Sequence, residues 1–91
     1  MASQRRLVHF SGNVQGVGFR YTAIRVAGSF DVSGYVRNLP DGRVEVVVEG
    51  TQEQIDSFLT ALQERMGYYI RKMTQQLSEP LGEFSRFDIR F

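Results

Sequence analysis

The sequence contains no cysteine and no tryptophan, and His9 and Lys72 are its only histidine and lysine. Without cysteine there is no disulfide, no thiolate metal site and no thiol nucleophile, which fits a reducing compartment and an expected cytoplasmic setting. A lone histidine builds neither a Ser-His-Asp triad nor an ordinary zinc site, and the reading expects no metal and no cofactor. No apolar run approaches the ~20 residues of a membrane span, and MASQRR leads straight into a strand-like pattern without a secretory leader. Eleven basic against ten acidic residues leave a formal charge of +1, too balanced for bulk binding to nucleic acid or anionic membrane. Ten of the eleven basic residues are arginine, so positive charge comes almost wholly as planar guanidinium forks.

What is present is an ordinary globular composition, 42% hydrophobic and 23% charged over 91 residues, enough for one core and one domain. Val8, Phe10, Gly12 and Val14 alternate with Leu7, His9 and Ser11, predicting a strand over Arg6–Asn13. A glycine-rich stretch follows, and Tyr21–Phe30 reads as a helix, with Gly28 marking a candidate early end. Ser33–Leu39 and Arg43–Glu49 read as strands of a hairpin turned by Pro40-Asp41-Gly42. Thr51 and Gln54 have capping-box spacing ahead of a helix striped by Ile55, Phe58, Leu59, Leu62 and Met66, with Gly67 as an expected left-handed cap. Tyr68–Leu77 and the short Phe87–Phe91 complete a β-α-β-β-α-β order with an extra strand. The expected fold is α+β: a ferredoxin-like sandwich, one antiparallel sheet with two helices on one face and a short C-terminal strand.

Chemistry concentrates between the first strand and first helix. Gly12, Gly16 and Gly18 allow successive backbone N–H groups to curl toward one point, and the next helix adds its positive dipole end. Arg20 at the helix start adds donors matched to phosphate oxygens. The bland alternative is a glycine turn with a solvated Arg20. The spacing is neither a P-loop nor a dinucleotide fingerprint. Asn38, sharing a strand face with Gly34 and Val36, is either a turn initiator or an amide aimed at whatever the loop holds. Val14 stands where a cysteine phosphatase needs its nucleophile, and no Asp pair occurs at the aspartyl-phosphate interval. If the loop binds phosphate, water is the nucleophile. A phosphate monoester then lacks the acid or metal its alkoxide requires, whereas an acyl phosphate expels a stable carboxylate and needs neither.

These residues resemble the acylphosphatase family. Gly12-x-Val14-Gln15-Gly16-Val17-x-Phe19-Arg20 is similar to its first signature, and Gly34-Tyr35-Val36-Arg37-Asn38, followed by Gly42, Val44 and Gly50, to its second. The resemblance implies metal-free hydrolysis of a small-molecule acyl phosphate to carboxylate and inorganic phosphate, with phosphate also an inhibitor. It implies that Arg20 binds the phosphoryl group, that Asn38 orients the attacking water, and that the backbone of Gln15, Gly16, Val17, Gly18 and Phe19 holds phosphate oxygens. The chain is expected to be a monomeric, free-standing enzyme with no nucleic-acid or membrane partner, not part of a larger maturation protein.

The chain departs from the family's usual pattern at Met66-Gly67-Tyr68-Tyr69, at Phe10, and at Phe30-Asp31 before the second signature; these bear on packing and substrate shape. One rival is a non-catalytic anion- or ligand-binding module of the same fold. A second, an RNA-binding module, lacks aromatics along Arg43–Glu49 on which bases would stack.

Overall fold

A computed structural model describes residues 2–91. Its elements are β1 (Ser3–Gly12), α1 (Phe19–Ala27), β2 (Ser33–Asn38), β3 (Val44–Thr51), α2 (Gln52–Met66), β4 (Ile70–Ser78) and β5 (Phe87–Ile89). The strands form one sheet in the order β4-β1-β3-β2-β5. β3 pairs antiparallel with β1 and with β2, and β4 pairs antiparallel with β1. The all-antiparallel expectation is corrected at one edge: β5 runs parallel to β2, so the sheet is mixed. The connection from β4 to β5 crosses the whole sheet before it reaches that edge, and so enters in the same direction as β2.

The alternation read in the sequence sets the layers. Val8 and Phe10 of β1, Val36 of β2 and Val44, Val46 and Val48 of β3 are fully buried beneath the helices. Against them pack Phe19, Ala23 and Val26 of α1 and Ile55, Phe58, Leu59, Leu62 and Met66 of α2. Phe10 meets Phe19 at 5.0 Å between ring centroids, and Phe58 meets Phe87 at 5.2 Å, tying both helices to the sheet.

Element ends differ from the periodic reading for local reasons. α1 starts at Phe19 and stops at Ala27, with the Gly28 N–H bonded back to Ile24 O at 3.2 Å. Thr51 Oγ1 accepts from Gln54 N at 3.2 Å, but only half of the capping box forms, because Gln54 Oε1 accepts from Asp31 N at 2.8 Å instead. Gly67 is not a left-handed cap: at φ −56° it carries the chain into a tighter turn over Gly67–Tyr69, which delays β4 to Ile70.

The face opposite the helices is polar and partly covered. Glu45 is 7% exposed and accepts from His9 Nε2 at 3.0 Å, Tyr35 Oη at 2.9 Å and Arg37 Nε at 2.7 Å. Glu49 accepts from Arg5 and from the backbone N–H groups of Leu81 and Gly82, pinning the crossing connection to the sheet. Phe84 of that connection lies against Tyr35, with the guanidinium of Arg90 over both rings.

Burial alone would raise the carboxyls of Glu45 and Glu49, but these donors outweigh it and hold both below the ordinary glutamate value. A depressed carboxyl stabilises the fold above its unfolded pKa, and that contribution is lost as pH falls through the folded value. Glu45→Gln should therefore cost about 1–3 kcal/mol at neutral pH. It should also flatten the decline in stability through the acid carboxylate range, read from urea unfolding at a series of pH values. An unchanged acid slope would show that Glu45 is not ionised in partnership with these donors.

Candidate active site

Pairing to a common antiparallel neighbour makes β1 and β2 parallel, so both finish at the same end of the sheet. Gly12 opens the glycine loop there, and Asn38 closes β2 there. The helix-side alternation of β2, with Gly34 and Val36, turns Asn38 toward α1, whose N-terminus rises from the loop.

Local backbone demands explain the loop. Gly12 has no room for a Cβ, which would overlap the carbonyl oxygen of Tyr69; the neighbouring Asn13 N–H donates to that oxygen at 3.0 Å. Gly16 and Gly18 adopt φ 77° and 80°, and Gly18 is the left-handed N-cap residue from which α1 starts. The Gly18 carbonyl accepts from Thr22 N at 3.0 Å, so the first turn of α1 leaves its leading N–H groups facing outward.

A pocket of about 220 Å³ opens at this point, lined by Val14, Gly16, Gly18, Phe19, Arg20, Tyr21 and Asn38. Arg20 and Asn38 thus share one pocket with the loop. Arg20 is half-buried, has no carboxylate within ion-pair distance among the described residues, and lies 5.2 Å from the Phe91 ring centroid. The Oδ1 of Asn38 is buried with no hydrogen-bond partner among the described residues. An acceptor so placed carries a desolvation cost of about 1–3 kcal/mol until a donor meets it.

The cradle is expected from backbone N–H groups, and the side chains of Gln15 and Val17 point elsewhere; that of Val17 packs against the core. The Gln15 amide reaches the β2–β3 hairpin, donating from Nε2 to Leu39 O at 2.8 Å and to Arg43 O at 3.0 Å. Phe19 buries its ring in the core, leaving its backbone to the pocket. Val14, Tyr21 and Phe91 were not anticipated at the site. The apolar alternation of β1 explains Val14, but no spacing signals Tyr21 or Phe91.

Arg37, beside Asn38 in sequence, points to the opposite face and pairs with Glu45, so the strand pleat separates the two functions. β1 and β3 present Leu7, His9, Glu45, Val47 and Glu49 to that face, with no Phe or Tyr among them, and the aromatics it does carry, Tyr35 and Phe84, pack against each other with Arg90 over both rings. No helix among the described residues is long and apolar enough to cross a membrane.

Comparison with known proteins bears on the family and the fold. The acylphosphatase family model matches residues 7–89. An acylphosphatase of Syntrophotalea carbinolica is 41% identical over 85 residues, 92% of either chain. One from Bordetella parapertussis is 54% identical over 76 residues, 84% of this chain and 79% of that one. A crystal structure of acylphosphatase from Bacillus subtilis superposes with a TM-score of 0.86 at 33% identity, covering 98% of this chain and 99% of that one.

Gly18→Ala should cost about 1–2 kcal/mol, because alanine resists the left-handed conformation. Gly67→Ala, at a helical φ with no atom near its Cβ position, should be neutral or stabilising by about 0.4–1 kcal/mol. Urea unfolding of both variants checks the pair; equal costs would contradict the conformational assignment.

Proposed function

The chain belongs to the acylphosphatase family, and on that premise we propose that Arg20, Asn38 and the loop before α1 hydrolyse the carboxyl–phosphate bond of a small acyl phosphate. Arg20 and the backbone N–H groups of Gln15, Gly16, Val17, Gly18 and Phe19 hold the phosphoryl oxygens, with the α1 dipole adding positive potential. Asn38 Oδ1 accepts a proton-bearing bond from water and leaves a lone pair directed at phosphorus. The observation that carries this reading is that Asn38, whose Oδ1 is buried and unpaired among the described residues, lines the same pocket as Arg20.

Attack forms the new P–O bond in line with the departing carboxylate, and the water proton passes to a phosphoryl oxygen. Dianionic acyl phosphate and water thereby give carboxylate and monoanionic dihydrogen phosphate, with charge and atoms balanced. The carboxylate is a weak base, so the step requires no general acid, metal or cofactor. Catalysis rests on holding charge and placing water. The product phosphate fits the same donors and is expected to inhibit competitively. We place the enzyme in the cytoplasm as a monomer, consistent with its lack of cysteine.

Arg20→Ala should lower kcat/KM at least ~100- to 1000-fold and weaken phosphate inhibition. Arg20→Lys should recover little of this, since an ammonium lacks the planar two-pronged contact. Asn38→Ala should lower kcat while leaving phosphate inhibition nearly intact, and EDTA should change nothing. Steady-state hydrolysis of an aromatic acyl phosphate measures all four. Wild-type turnover in Asn38→Ala would leave Asn38 without a part in the reaction.

A further inference from the structure

Gln15 lies in the glycine loop, yet its side chain turns away from the pocket. Its amide has only two N–H donors, and these meet two backbone carbonyls, Leu39 O at 2.8 Å and Arg43 O at 3.0 Å. Those carbonyls belong to the neck of the β2–β3 hairpin, where Leu39 N also donates to Arg43 O at 2.8 Å and Gly42 N to Leu39 O at 3.1 Å. Leu39 follows Asn38 directly. The other end of the loop is fixed separately, by Asn13 N donating to Tyr69 O at 3.0 Å on the β4 side. Gln15 therefore spans the gap between the segment carrying the phosphate donors and the strand carrying the water acceptor.

We propose that Gln15 is a positioning residue: its bifurcated clamp on Leu39 and Arg43 sets the distance between the phosphate loop and Asn38, and so sets the rate of the water attack rather than the affinity for phosphate. The inference rests on the roles of Arg20 and Asn38 given above. Arg20 and the loop N–H groups travel together on one segment, so loosening the clamp leaves the phosphate donors mutually arranged. The distance that changes is the one from bound phosphorus to the water on Asn38. In-line attack tolerates little error in that distance, and a displacement near 1 Å costs roughly 100-fold.

Gln15→Met keeps length and volume and removes both donors. We expect its kcat to fall roughly 10- to 100-fold, with KM and competitive inhibition by inorganic phosphate nearly unchanged. In an Asn38→Ala background the same substitution should cost little more, because the clamp acts through Asn38. Gln15→Glu keeps the shape but sets a carboxylate against two carbonyl oxygens. Its kcat should be at least as low as that of Gln15→Met at neutral pH, and should recover toward the parent as pH falls and the carboxyl gains a proton to donate. Urea unfolding of every variant fixes the folded fraction, so each kcat is expressed per folded molecule. Wild-type kcat in folded Gln15→Met or Gln15→Glu would overturn the inference, as would a Gln15→Met loss fully additive with Asn38→Ala; a lowered unfolding midpoint alone would make Gln15 only a structural tie. Wild-type turnover in Asn38→Ala would instead remove the underlying reading and the inference with it.

Discussion

The arrangement depends on β3 lying between β1 and β2 and pairing antiparallel with both. Because two reversals restore direction, β1 and β2, separated in sequence by a helix, run the same way on either side of β3 and finish at the same end of the sheet. A glycine loop at the end of one and an amide at the end of the other then face the same space without any long-range design in the loop itself. The two are brought together by backbone hydrogen bonding, the least sequence-sensitive interaction in the molecule. What remains is fine adjustment: the Gln15 side chain and the Asn13 backbone N–H tie the loop down from opposite flanks.

The sheet assigns its two faces different tasks. Toward the helices it gives valines and phenylalanines to the core and, at the end of β2, one unpaired carboxamide oxygen. Toward the other face it gives arginines and glutamates, linked so that each buried carboxylate has several donors. A single pleat separates Arg37, whose charge is neutralised by Glu45, from Asn38, whose acceptor has no partner among the described residues. Polar groups are thus satisfied where they support structure and left open where chemistry is proposed.

Much of this was legible in the sequence. Alternation of Val44, Val46 and Val48 and the stripe from Ile55 to Met66 dictated which surfaces would be buried, because burial of apolar area dominates and its periodicity is plain. The glycines before Arg20 announced a non-helical loop at a helix start. The direction of β5 was not legible, since three alternating residues fit a parallel or an antiparallel edge equally well. The ends of α2 and the start of β4 turned on whether Gly67 took a left- or right-handed φ, which glycine leaves undetermined. The contact made by the Gln15 side chain was not legible for a related reason: its position in the loop is visible, but the two carbonyls that capture its amide lie 24 and 28 residues away and carry no side-chain signature.

The pairings of β1 carry a kinetic consequence. Ser3 must find Thr51 before the centre of the sheet exists, and Arg5 must find Ser78 before β1 gains its second neighbour. Such distant partners require large loops to close before burial rewards them, which places the domain among slower-folding mixed α/β topologies. On a ribosome, the first strand waits with one backbone edge unpaired until β4 emerges, making that interval the period in which chaperone protection matters most.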